Sequence, residues 1–334
     1  MMRFYIESTT KLPLIIISGP TASGKTSLGI KLAQMVQEKF HLKAEIVNFD
    51  SLLFYQELNI GTAKPTEIER KLIEHRLVDI QSAKDPINAS TFVKLAQVEI
   101  DKGHQEGKII FLVGGSAFYL RALIKGMYEA QTTPDEIKDS LDKMYKAEGI
   151  TPIVEILKEN DPESLSQLHI NDHYRLIRAA EFFLATGEKI SDEKKNMDKK
   201  SPYDLSTSDW NIFHIYLDPP KVEHLKIIEK RTTQMIKEGL VEEVTELLNK
   251  GFSGNERPLK SIGYKEAISF IEGNLPTIES LTERIVISTR QLAKSQRTFF
   301  KKIMPKNTYN PLEGDEKVIE DVTEFLKQHN FGQS

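Results

Sequence analysis

An α/β fold built on an open, doubly wound parallel sheet is predicted by three features of this 334-residue sequence. Short runs rich in Ile, Val and Phe recur along the chain, amphipathic helical patterns separate them, and the first run leads straight into a glycine-rich loop. Strands that are apolar throughout belong in a sheet covered on both faces, and their alternation with helices implies crossovers between parallel neighbours.

The first strand is predicted at Leu14–Ser18, followed by a helix on which Leu28, Leu32 and Val36 recur at i, i+4 and i+8. Glu45–Phe49 reads as the second strand and Ile109–Val113 as the third, with Leu120, Leu123 and Ile124 marking the helix behind it. The alternation then stops. From Met127 to Ser206 the chain is charged and helical in pattern, and its end, Gly187 to Ser206, is rich in Lys, Asp and Ser and reads as an exposed connection. Phe213–Leu217 restores strand character, so residues 127–206 are predicted to be a helical insertion into a core of 12–126 and 207–310. The C-terminal third predicts helices over Val222–Asn249, Tyr264–Gly273 and Ile278–Ile303, with a tail helix inside 311–334.

Composition narrows the function classes. Lys and Arg total 45 against 49 Asp and Glu, a formal charge of −4, which excludes a protein that coats nucleic acid by bulk positive charge. The absence of cysteine excludes a disulfide framework, a cysteine-ligated zinc and a thiolate nucleophile. The apolar run Leu12–Ile17 is too short to span a bilayer, and residues 1–11 lack the pattern of a secretory leader. A cytoplasmic, monomeric protein without a membrane partner is expected.

The strongest local signal is Gly19-Pro20-Thr21-Ala22-Ser23-Gly24-Lys25-Thr26, a G-x-x-x-x-G-K-[ST] loop between a predicted strand and a predicted helix. At ordinary residue frequencies a chain of this length matches the pattern by chance about once in 100. Loop amides and the helix N-terminus would cradle two linked phosphates, Lys25 adds a full charge, and the Thr26 hydroxyl can hold a Mg²⁺ on the phosphate oxygens. The fold is therefore expected to be P-loop NTPase-like. A kinase would also place an acid at the end of a neighbouring strand for its metal, yet the third strand runs into Gly114-Gly115-Ser116.

Ligands of open parallel sheets bind beyond the carboxyl ends of the strands, where the loop, Asp50-Ser51 and Gly114-Gly115-Ser116 all fall. Asp50 there could be a metal ligand, a general base or a helix N-cap, and Ser116 a helix cap. Further on, residues 290–306 hold six Lys or Arg residues and no acid, with Arg290, Lys294, Arg297 and Lys301 spaced along one helical face. The eight histidines show no metal-ligand spacing and read as surface residues.

Several of these pieces together resemble the tRNA dimethylallyltransferases, the IPP transferase family. The resemblance is carried by the phosphate loop, Asp50-Ser51, Asn59-Ile60-Gly61-Thr62-Ala63-Lys64-Pro65-Thr66, His75–Ile80 and Val113–Ser116 with Tyr119–Leu123. It continues through Asn171-Asp172 with Arg175 and Arg178, Arg231 with Met235, Gly239–Val244, Ile262–Glu266, and Thr289-Arg290-Gln291 with Lys294 and Gln296. The matches run in order from about residue 14 to residue 302.

The resemblance implies transfer of a dimethylallyl group from its diphosphate to N6 of the adenosine 3′ of the anticodon, in tRNAs that read codons beginning with U. It implies Asp50 as the base that takes the amine proton, with Ser116 and Thr21 beside the reacting atoms. The diphosphate would lie on Gly19, Pro20, Thr21, Ala22, Ser23, Gly24, Lys25, Thr26 and Arg231, with Mg²⁺ as cofactor. tRNA would be held by Asp50, Ser51, Leu52, Leu53 and Ser116, by Lys138, Tyr174, Arg175 and Arg178 in the insertion, and by Arg290, Lys294 and Arg297. Ser116 stands where the family usually has Thr. Leu53 stands where it usually has a Gln that contacts the target nucleotide, so one base-edge hydrogen bond is missing. The alternatives are a prenyltransferase acting on free adenylate, which would need neither insertion nor basic helix, and a P-loop small-molecule kinase.

Overall fold

Pro13–Ser18 forms β1, buried along its whole length, and the chain turns through the glycine-rich loop into α1 (Lys25–Phe40). This computed structural model describes residues 13–126, 133–197 and 203–329. The segment read for a leader, the predicted insertion start at Met127, and residues 198–202 and 330–334 lie outside them. Next come β2 (Ala44–Asn48), α2 (Glu67–Leu72), β3 (Glu74–Arg76), α3 (Ala89–Gln105), β4 (Ile109–Val113) and α4 (Ala117–Lys125).

The six described strands, with β5 (Asn211–Leu217) and β6 (Asn307–Tyr309) added, form one parallel sheet in the order β3-β2-β4-β1-β5-β6. Leu14 pairs with Ile110 and with Ile212, so β1 lies between β4 and β5. Because all strands run the same way, the chain leaves β1, β2, β4 and β5 along one edge, where the glycine-rich loop, Asp50, Gly114 and Asp218 follow. The central strands are largely apolar and close a core of Ile15, Ile17, Leu32, Ile46, Phe111 and Ile215. The edge strands β3 and β6 are short and polar, and no apolar run announces them.

Lys125–Pro202 forms a separate compact unit of helices: α5 (Asp135–Glu148), α6 (Thr151–Asn160), α7 (Pro162–Gln167), α8 (His173–Thr186) and α9 (Ile190–Met197). Its core joins Leu141, Ile153, Leu157, Leu176 and Phe182. The expected exposed connection after Gly187 is in part this last helix. Buried Asp161 accepts from the Ser191 hydroxyl at 2.7 Å and from the Ser164 amide at 3.0 Å, tying α9 to the cap of α7.

In the C-terminal third, the long helix expected over Val222–Asn249 is two, α10 (Lys221–Lys237) and α11 (Leu240–Asn249). Gly239, at φ 99°, makes the break, a backbone state that glycine adopts without Cβ strain. They are followed by α12 (Tyr264–Ile271), α13 (Ile278–Phe300) and α14 (Glu316–Gln328). The tail helix α14 buries Val318, Val322, Phe325 and Leu326 against the sheet core. No described helix is long and apolar enough to cross a membrane.

Candidate active site

The glycine-rich loop has the geometry of an anion cradle. Gly24 sits at φ 85° at the head of α1 and offers no capping side chain, so the first amides of the helix remain open to a ligand. Lys25 folds back to donate to the Pro20 carbonyl at 2.8 Å. Burial pushes its ammonium down to about 8, with Asp50 opposing the shift and Arg231 adding to it. Burial likewise works against the charge on Arg231, and Asp50 supports it. These two cations and one carboxylate thus share a poorly solvated space.

Gly115 lies where they converge. A Cβ there would stand 2.9 Å from Gln296 Nε2, 3.4 Å from Asp50 Oδ2 and 3.6 Å from Lys25 Nζ. At Gly114 a Cβ would press on the Phe49 carbonyl carbon at 2.6 Å and the Asp50 amide nitrogen at 2.8 Å. The glycine pair therefore lets the end of β4 lie directly against the Phe49–Asp50 backbone. No helix follows Asp50, which removes the N-cap reading: Oδ1 accepts from the Leu52 amide at 3.2 Å and braces a turn. Ser116 does not cap α4 with its hydroxyl either. Its Oγ accepts from the Ser51 amide at 3.0 Å, joining the ends of β2 and β4.

Two cavities meet at this point. One, of 660 Å³, is floored by residues 21–27 of the loop and the first turn of α1 and walled by Ile46, Leu53, Val78, Val113 and Ile227. The other, of 610 Å³, is lined by Ser51, Leu52, Tyr55, Gly115, Ser116, Phe118 and Phe299. Thr21, Ala22, Asp50, Thr62, Arg231 and Met235 border both. Leu52 and Leu53, adjacent in sequence, thus line different cavities. Leu53 adds to the apolar wall above the loop, whereas Leu52 lies on the Ser116 side.

His224 escaped the sequence reading, and Gln296, Glu243 and Tyr264, named there only within the family pattern, gain a role in shaping this site. Gln296 and His224 bond the loop at Thr21, with Gln296 Oε1 accepting from its amide at 2.8 Å and His224 Nε2 lying 2.8 Å from its carbonyl. His224, His214 and His104 are buried, correcting the expectation of surface histidines. Glu243 holds the strap before Thr62, accepting from the Asn59 and Ile60 amides at 3.1 and 2.9 Å and from the Tyr264 hydroxyl at 2.7 Å. Burial, then the adjacent Glu243 charge, pushes the Tyr264 phenol well above its usual range. A Cβ on Gly61 would stand 2.5 Å from the Tyr264 ring. Gly61→Ala is therefore expected to cost about 1–3 kcal/mol by overpacking, read as a lower denaturant midpoint, whereas an unchanged midpoint would show that the strap gives way freely.

The basic stripe is only partly a solvent face. Arg290 and Lys294 are exposed and make no ion pair among the described residues, and with Lys221 and Lys301 they border a 580 Å³ groove between α10 and α13. Arg297 borders the same groove but is bonded within the protein. Its Nε donates to Asp218 Oδ1 at 2.6 Å and its Nη2 to the Pro219 carbonyl at 2.8 Å, leaving the side chain 13% exposed. In the insertion unit, Tyr174 is exposed on α8, Arg175 pairs with Asp172 at 3.3 Å, Arg178 pairs with Glu181, and Lys138 pairs with Asp135 at 2.8 Å. The exposed pairs of Lys138 and Arg175 are worth little on their own, whereas Arg178 also neutralises the buried Glu181 carboxylate.

The family model described as IPP transferase matches residues 53–303. A "tRNA dimethylallyltransferase 2" of Geotalea uraniireducens is 35% identical over 96% of this chain and 99% of its own. A "tRNA dimethylallyltransferase" of Prochlorococcus marinus is 37% identical over 94% and 98%. Among solved structures, a tRNA delta(2)-isopentenylpyrophosphate transferase from Staphylococcus epidermidis superposes with a TM-score of 0.66 at 30% identity, covering 95% of this chain and 100% of that one. A eukaryotic dimethylallyltransferase acting on tRNA shares the fold at a TM-score of 0.78 and 22% identity, covering 95% of this chain and 80% of that one. A family match over most of the chain, on an α/β core with this loop and this Asp50 crevice, leads to one conclusion: the chain belongs to the IPP transferase family.

Proposed function

We propose that this protein transfers a dimethylallyl group from dimethylallyl diphosphate to N6 of the adenosine at position 37 of tRNA, 3′ of the anticodon, in tRNAs reading U-first codons. The observation that carries the reading is the pair of cavities that meet at Thr21, Asp50 and Arg231. One combines a phosphate-binding floor with an apolar wall, which suits a short prenyl chain on a diphosphate. The other presents hydroxyl and aromatic groups, which suit a base drawn out of a single-stranded loop. The relatives' names speak of tRNA and of a dimethylallyl group, and the phosphate-binding floor supports a diphosphate as the carrier of that group.

In the step, the N6–carbon bond forms, the bond from that carbon to the diphosphate oxygen breaks, and the N6 proton passes to Asp50. Lys25, Arg231 and the loop amides stabilise the charge growing on the departing diphosphate. The buried Ser23 hydroxyl has no partner among the described residues and belongs to the cradle wall, a donor fitted to a phosphate oxygen. The Thr26 hydroxyl would hold a Mg²⁺, which would add positive charge at the diphosphate when bound.

The deciding assay gives purified protein Mg²⁺ and dimethylallyl diphosphate with an unmodified tRNA reading U-first codons, with AMP, or with ATP and metabolites. Prenyl incorporation into tRNA is expected, and incorporation into AMP alone would sink the reading. Replacing Arg290 and Lys294 together by Glu should weaken tRNA binding. Its log–log salt dependence should flatten by roughly one in slope for each phosphate left unneutralised. Affinity for dimethylallyl diphosphate should stay unchanged, and if both fell together the groove would be structural.

A further inference from the structure

We infer that His224, held by Arg297 and Asp218, acts with Gln296 as a positioning device that fixes the Thr21 peptide of the phosphate loop; this deepens the prenyl-transfer reading above and rests on it. Each polar group of Thr21's backbone has one partner, from a different helix. Gln296 on α13 accepts the Thr21 amide at 2.8 Å and donates from Nε2 to the Gly115 carbonyl at 2.9 Å, linking the ends of β1 and β4. His224 on α10 lies 2.8 Å from the Thr21 carbonyl through Nε2 and 2.9 Å from Arg297 Nη2 through Nδ1. Arg297 in turn donates to Asp218 at 2.6 Å.

These partners leave His224 one chemical state. A guanidinium only donates, so Nδ1 accepts, and a carbonyl only accepts, so Nε2 carries the proton. The residue is 1% exposed. Burial holds its pKa below the usual histidine range, and Arg297 and Lys25 act in the same direction against the Thr21 bond and Asp218. Lys221 on its own helix, Arg290 and Lys294 on α13 and Lys301 just after it border the same groove and share that sign. The imidazole therefore stays neutral and keeps both bonds.

The Thr21 carbonyl is a consequential atom to hold. It belongs to the peptide joining Thr21 to Ala22, and Ala22 is left-handed, at φ 60°. For a residue with a Cβ that state costs about 1–2 kcal/mol, so the peptide needs outside bonds to stay as it is. In a trans peptide the N–H points opposite to the C=O. Holding the carbonyl on His224 thus turns the Ala22 amide away from α10, at a residue bordering both cavities. Rotation of that peptide would offer a carbonyl, not an amide, to the diphosphate.

The test compares His224→Ala and His224→Gln with the wild type in steady-state transfer to tRNA. Gln keeps an N–H for Thr21 and an oxygen for Arg297 but cannot titrate. Ala is expected to lower kcat by about 10- to 100-fold, because a misplaced loop misorients the leaving group. KM for dimethylallyl diphosphate should move by no more than about threefold, and Gln should bring kcat back to within about threefold of wild type. An Ala variant with wild-type kcat, or equal losses in Ala and Gln with the fold intact, would overturn the inference. Should the variants not fold, the ¹⁵N shifts of His224 in the wild type decide. A neutral Nε2–H imidazole is expected at neutral pH, and an Nδ1–H tautomer or an imidazolium overturns the inference. A wild type that transfers no prenyl group would count against the proposed function, and the tautomer would still judge the Thr21 clamp.

Discussion

Asp50→Asn is expected to lower the rate of prenyl transfer by about 10²–10⁴-fold, the range supplied by a positioned general base. The substitution keeps the shape of the side chain and the acceptor oxygen for the Leu52 amide, so the turn after β2 should survive. What it removes is an atom able to take a proton where Gly115, Lys25 and Gln296 converge. The exocyclic amine of adenine is a weak nucleophile because its lone pair is delocalised into the ring, so transfer without a proton acceptor stalls. Affinity for dimethylallyl diphosphate, measured near neutral pH, should be largely kept, since the cradle amides, Lys25 and Arg231 remain. A variant that transfers at the wild-type rate would remove Asp50 as the base.

How far this site could be read from the sequence depends on how its parts are held. The glycine-rich loop was legible because chemistry, spacing and strand–helix context all lie within a few consecutive residues. The strands β1, β2, β4 and β5 were legible because a strand covered on both faces must be apolar throughout. Glu45 shows the limit of that rule. It sits 1% exposed inside β2, matched by Lys108 at 2.8 Å from the neighbouring strand's side, a pairing that no local pattern announces. The edge strands Glu74–Arg76 and Asn307–Tyr309 carry polar side chains because water or charge partners reach them, and so they look like loops.

The same reasoning separates the site contacts that were legible from those that were not. His224 and Gln296 lie 203 and 275 residues from the peptide they hold, and a hydrogen bond across that distance leaves no periodicity. The partners of Arg297 were illegible for a different reason. Helical spacing correctly set it near Arg290 and Lys294, but spacing alone does not say what lies beyond the side chain. The end of β5 supplies Asp218, and the arginine is spent there rather than on solvent.

Lys25→Met should be nearly as damaging, lowering kcat by about 10²–10³-fold, comparable to deleting a donor to a developing oxyanion. The departing diphosphate gains charge as its bond to carbon breaks, and the lysine is the full charge within the loop. Its depressed pKa of about 8 adds a signature that a packing defect would lack. Below pH 8 the ammonium is charged and diphosphate binds well, whereas above it the charge is lost and affinity falls. A bound anion favours the ammonium, so complex formation near pH 8 should take up protons, measurable by calorimetry in buffers of different ionisation enthalpy. The ligand-free protein gives the complementary sign. Its folded-state pKa of about 8 lies below the ordinary lysine value of 10.5, so between them the unfolded chain holds more protons and folding stability rises with pH. Lys25→Met should abolish this proton uptake and flatten that rise. If wild type and variant showed the same pH dependence of binding, the buried ammonium would not be the group the diphosphate meets, and the leaving-group charge would have to fall on Arg231 and the loop amides alone.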